Sequence, residues 1–164
     1  MYSSSPPLFA RRHWVSMSCT NQSPSYVLLA ASSTFILSFI HGANTSKKRK
    51  SAGVAYPAPY ATDEVAAKDP KAFAFNCAQR AHANYLENQP SVIAAMLVSG
   101  LKYPVTTAAL GAAWIVNRYI FMVGYSKPEW GANGKGRLRG SLFWLAQLGL
   151  FGLSIKVGVD MIRA

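Results

Sequence analysis

The chain has 164 residues, of which 51% are hydrophobic and 14% charged, and its net charge is +11. Mean hydropathy is positive and the apolar residues fall into four blocks, a composition that points away from a water-soluble single domain and toward a membrane protein. The basic residues flank those blocks, with Lys47 to Lys50 after the first and Lys135, Arg137 and Arg139 before the last, which is topology-setting charge and excludes nucleic acid as the partner.

Residues 1–24 are rich in Ser and Pro, carry Arg11 and Arg12, and contain no acid. They read as a disordered or targeting-like tail ahead of a membrane domain at 25–164. The first span is expected at about 26–43, "YVLLAASSTFILSFIHGA", with serines that bond back to the preceding turn. His41 falls at its interfacial end. The basic run closes it, and Pro57, Pro59 and Pro70 break regular helix in the loop that follows.

A second span is expected at about 72–101, capped by Asp69 or the Asp-Pro pair and interrupted by Pro90. "GLKYP" then turns the chain. The third span, about 105–125, has Gly111, Ala112 and Ala113 for close helix contact. A polar loop leads to the fourth, about 141–161, where Lys156 and Asp160 lie four residues apart near the end. Counting Lys and Arg by loop puts the two basic loops in the cytosol and both termini across the membrane. The expected fold is therefore an all-α integral membrane protein, a bundle of four transmembrane helices.

The second span holds the unusual chemistry. At about 100° per residue, Asn84 lies about +40° from Arg80, Glu87 about −20° and Asn76 about −40°, so all four share one face. Arg118 on the third span adds a further cation in an apolar setting. Such groups face a bundle interior or a wet cavity and pair with each other, so Glu87 is expected to pair with Arg80 or Arg118. A buried pair can serve helix register alone. Several guanidinium groups beside one carboxylate also suit a small zwitterionic ligand with several carboxylates. Cys19 and Cys77 form neither a metal-ligand spacing nor a disulfide framework, and Cys77 reads as a small buried side chain. No metal site is expected. Trp114, Trp130 and Trp144 read as interface or packing aromatics.

"FNCAQRAHANYLE", with "TSKKRKSAGVAYPAPY" before it and "LGAAWIVNRYIF", "GY" and "GRLRGSL" after it, resembles the membrane-associated proteins in eicosanoid and glutathione metabolism. The resemblance covers about residues 24–155. It implies a homotrimer with glutathione as co-substrate in a polar pocket between subunits near the cytosolic face. Matching motif positions implies glutathione contacts from Arg80, Asn84 and Glu87, with His82 and Asn88 nearby, and further contacts from Arg49, Arg118 and Tyr125. Lys50 stands where relatives carry an arginine assigned to proton donation. An arginine entering the fourth helix is implied to stabilise the glutathione thiolate, and Arg137 and Arg139 both match. Phe121 replaces a tyrosine of relatives and removes one hydroxyl contact.

The activity implied is a membrane glutathione transferase or peroxidase, acting on a lipophilic electrophile or a lipid hydroperoxide drawn from membrane lipid. A non-catalytic lipid-binding scaffold of the same fold is the alternative, since fold alone does not dictate activity. An ion carrier would also explain charge in a bundle, but it has no need of the basic rim. The resemblance implies the endoplasmic reticulum membrane, with the mitochondrial outer membrane kept open by the N-terminal tail.

Overall fold

Residues 23–163 are described by a computed structural model. The expected tail lies outside them except for its last two residues, so Arg11, Arg12 and Cys19 have no structural account. The described chain is all-α. Its helices are α1 (Ser23–Ala52), α2 (Asp63–Lys68), α3 (Pro70–Gly100), α4 (Pro104–Ser126) and α5 (Phe143–Ile162). A 3-10 turn at Pro128–Trp130 and a 3-10 segment at Ala132–Gly140 join α4 to α5.

α1 runs past the expected end of its apolar block, through the basic run to Ala52. Arg49 and Lys50 sit in its last turn, where cations oppose the negative helix end. The hydroxyls of Ser33 and Thr45 bond back to the carbonyls of Leu29 and His41, at 2.8 and 3.0 Å. This longer helix places His41 in its interior. The ring is fully buried and stacked on Tyr85 at 4.5 Å, not at an interface as its place in the sequence suggests.

The proline-containing loop after α1 is pinned at two points. Asn76 on α3 exchanges hydrogen bonds with both backbone groups of Ala61, at 2.8 and 2.9 Å. Arg49 donates to the Ala58 carbonyl at 2.6 Å. The short helix α2 has no buried residue and was not legible from sequence; Thr62 caps it by accepting from the Val65 N–H. Asp69 caps α3 as expected, accepting from the Lys71 N–H at 2.8 Å with Pro70 in the first turn. α3 continues through Pro90.

α1, α3, α4 and α5 pack around one core that includes Leu37, Tyr85, Met96, Trp114, Phe143 and Leu150. Ala72, Ala74, Ala78 and Ala81 on α3 are buried, and small residues of this kind let helices approach closely. Gly111 serves the same end, since a Cβ there would come within 3.2 Å of the Ala30 Cβ. Large apolar side chains cover the outside, including Leu28, Phe35 and Phe39 on α1 and Leu145, Leu148 and Ile155 on α5. Two helices, α1 from Pro24 and α5, are long and apolar enough to cross a membrane.

At one end of the bundle, Asp160 near the end of α5 accepts from Lys102 at 2.5 Å, Lys156 at 3.1 Å and the Tyr103 hydroxyl at 3.2 Å. This ties the α3–α4 turn to α5. The basic loops lie at the other end.

Candidate functional site

The polar stripe of α3 divides into two groups in the structure. The first is a hydrogen-bonded chain across α3, α4 and α5. Arg118 is fully buried and donates from Nη1 to Asn84 Oδ1 at 2.9 Å. Asn84 Nδ2 donates to Glu87 at 3.4 Å, and the Asn84 carbonyl accepts from Asn88 at 2.8 Å. Asn88 Oδ1 accepts from Gln147 Nε2 at 2.9 Å, and Gln147 Oε1 accepts from the Trp114 indole at 3.0 Å.

Arg118 has no carboxylate partner among the described residues. Its guanidinium carbon lies 4.3 Å from the Phe143 ring centroid and 5.0 Å from that of Phe121, so ring faces supply the negative potential around it. Its Nε and Nη2 have no hydrogen-bond partner among the described residues. Two directed donors therefore remain on a buried cation, which is the donor set a carboxylate oxygen would take up. Glu87 is exposed and pairs with neither Arg80 nor Arg118, contrary to the expected ion pair. The chain reaches it through Asn84 instead.

The second group surrounds a pocket of about 550 Å³ near the basic loops. Arg80, Asn76, Cys77, Tyr60, Asp63 and Tyr125 are among its lining residues. The Arg137 guanidinium lies 5.0 Å from the Tyr125 ring centroid, and its Nη1 donates to the Gly134 carbonyl at 2.9 Å. Arg139 points elsewhere, is exposed, and lies 5.0 Å from the Trp130 ring centroid. The two candidate thiolate partners are thus separated by structure, with Arg137 beside Tyr125 and Arg139 away from it.

Backbone packing sets the position of Arg137. A Cβ at Gly124 would collide with the Gly136 carbonyl, so the 3-10 segment lies directly against the end of α4. Asn133 and Gly134 adopt left-handed backbone at φ 53° and 70° to make that turn.

The remaining expected site residues lie apart within the one chain. His82 lines a different groove, with Ser38, Phe39 and Gln89. Two residues along a helix is about 200°, so Arg80 and His82 occupy opposite sides of α3. Arg49 is buried between the Tyr56 and Phe75 rings, at 4.4 and 4.6 Å, and its bond to Ala58 gives it a place in loop packing. Lys50 is exposed. Cys77 is a free, buried thiol, as its sequence setting indicates. Among the described residues, no cluster of three His, Cys, Asp or Glu side chains could hold a metal ion.

Gln147 is the functional candidate that sequence reasoning missed. The only signal was an amide in the middle of an apolar helix, where a polar group needs a partner.

The sequence matches the MAPEG family over residues 27–159, which takes in most of each of the four long helices and both residue groups. With that match and the polar network inside an apolar helical bundle, the chain belongs to the MAPEG family, a membrane-associated family linked to glutathione metabolism.

Proposed function

We propose that this protein is a membrane glutathione transferase with peroxidase capacity, of the type 3 microsomal kind that its motifs resemble. Four helices, α1, α3, α4 and α5, cross the endoplasmic reticulum membrane with the basic loops in the cytosol. The observation that carries the reading is the buried Arg118, held by Asn84 inside an apolar bundle with two donor nitrogens unpartnered among the described residues. A purely structural arginine would have those donors satisfied.

In this reading Arg118, Asn84, Glu87 and Asn88 hold the polar groups of the tripeptide, with Glu87 taking its ammonium. Arg80 and Tyr125 line the cytosolic pocket, with Arg137 against Tyr125. The opposite placement of Arg80 and His82 on α3 supports a site shared between copies, one supplying Arg80 and its neighbour His82, in a homotrimer. The exposed Lys50 then contributes from the end of α1, while Arg49 holds the loop that follows it.

The thiolate is the nucleophile, and a free thiol has a pKa near about 8.5. A guanidinium beside the sulfur favours the anion, and a lowering of about one unit corresponds to roughly 1.4 kcal/mol. Arg137 is the better placed arginine for this task. The thiolate attacks an electrophilic carbon, forming an S–C bond as the leaving group or opened ring takes the electron pair. With a lipid hydroperoxide the sulfur attacks the terminal oxygen, forming an S–O bond as the O–O bond breaks; the lipid oxygen takes a proton and leaves as the alcohol, and the sulfur becomes a sulfenic acid. A second glutathione then yields the disulfide and water.

The test is turnover of purified protein in detergent with a model electrophile and a lipid hydroperoxide. Arg80→Ala is expected to lower both rates at least about tenfold, equal to about 1.4 kcal/mol. Turnover like the parent in that variant would overturn the pocket assignment. Glutathione binding without any turnover would instead support the non-catalytic scaffold.

A further inference from the structure

A groove of about 420 Å³ runs between α1 and α4 at the end that carries the basic loops. Its walls are apolar, built from Phe39 and Ile40 on α1 and Tyr119 and Val123 on α4. Phe39 is 78% exposed and Tyr119 48%, so the walls are open to the surroundings. Across the polar end, Asn44 Nδ2 donates to the Ser126 hydroxyl at 3.4 Å and ties the two helices together.

Two lysines flank that tie and line the same groove. Lys47 follows Asn44 by one turn of α1, and Lys127 directly follows Ser126. Neither forms an ion pair among the described residues; the Lys127 ammonium lies 5.7 Å from the Trp130 ring centroid. Both ammonium groups therefore stand without a carboxylate at the head of an apolar trough.

We propose that this groove is a binding site for an anionic phospholipid of the surrounding bilayer, with its phosphate between Lys47 and Lys127 and one acyl chain along Phe39, Ile40, Tyr119 and Val123. Each half of the site excludes a simpler occupant. A free phosphate would leave the apolar walls unfilled. A zwitterionic lipid would bring its own cation to two that are already unpaired. Basic pockets between helices on the cytosolic side have the charge and depth that an anionic headgroup requires. The groove is separate from the Arg80–Tyr125 pocket, and its proposed role does not depend on glutathione chemistry.

The experiment is native mass spectrometry of the full chain, purified in detergent and mixed with phosphatidylglycerol or with phosphatidylcholine of the same acyl chains. The parent protein is expected to retain one phosphatidylglycerol per chain with at least about tenfold preference, as two interfacial cations would provide. The pair Lys47→Ala and Lys127→Ala abolishes that preference, and each single substitution weakens it. The pair Lys68→Ala and Lys135→Ala removes the same charge elsewhere and leaves it intact. Ala43→Phe, which fills the trough, lowers retention without changing charge. Soluble glycerol phosphate at the lipid's concentration does not compete. Equal loss in both lysine pairs, equal retention of the two lipids, unchanged retention in Ala43→Phe, or full competition by glycerol phosphate would each overturn the site. Circular dichroism and gel filtration confirm that every variant compared is folded; if the double variant is not, the single substitutions decide the outcome.

Discussion

Arg118 on α4 donates a 2.9 Å hydrogen bond to the side-chain oxygen of Asn84 on α3, and this bond joins the two helices that carry most of the candidate site. The contact leaves a buried guanidinium facing four aromatic rings, with Nε and Nη2 unpartnered among the described residues. Arg118→Met keeps the volume but removes the donors. It is expected to weaken glutathione binding at least about tenfold, or about 1.4 kcal/mol, by isothermal titration in detergent. Arg118→Lys should not restore binding, because a single ammonium does not reproduce the planar fork. Parent-like affinity in the methionine variant would remove Arg118 from ligand binding.

Arg137 and Arg139 are two residues apart yet face different rings. Arg137→Ala is expected to diminish the ultraviolet absorbance of bound thiolate and reduce turnover about tenfold or more. Arg139→Ala should stay within about threefold of the parent, since an exposed cation is screened by solvent. The reverse order of effects would transfer the thiolate role to Arg139.

Gln147 joins the Trp114 indole to Asn88 through both ends of its amide. Gln147→Leu leaves a buried indole N–H without an acceptor, a loss of about 1–3 kcal/mol. Its thermal unfolding in detergent should fall. The glutathione KM should rise several-fold while kcat changes less, because Gln147 orients Asn88 and touches no reacting atom. Gln147→Glu retains the acceptor for Trp114 but loses the donor to Asn88, so it should recover stability more than KM. Parallel recovery of both would make the residue structural only.

Gly124 sets the distance between α4 and the 3-10 segment that carries Arg137. Gly124→Ala drives a methyl group into the Gly136 backbone carbonyl, and a destabilisation of about 1–3 kcal/mol is expected, read as a lower unfolding midpoint. Arg137 should be displaced with it, so turnover should fall more than glutathione affinity. An unchanged midpoint would show that the segment can shift aside.

Much of the architecture was legible because the long helices are mostly apolar runs bounded by charge, glycine or proline. The four long helices, the Asp69 cap and the turn at "GLKYP" all follow from local pattern. Helical periodicity also placed Arg80, Asn84 and Glu87 on one face of α3. Periodicity says which residues share a face, but not which neighbour that face meets. The expected Arg–Glu pair was therefore replaced by an Arg118–Asn84 bond, and the stripe split between two surroundings.

By itself, the sequence determined the all-α character, the order of the long helices, and which polar side chains had to find partners in an apolar setting. Tertiary structure alone decided those partners: Gln147 for Trp114 and Asn88, Tyr125 for Arg137, and the burial of His41 against Tyr85. The physical reason is that apolar burial is non-directional and is written into composition and period, whereas hydrogen bonds and ring contacts depend on how separate helices meet in space.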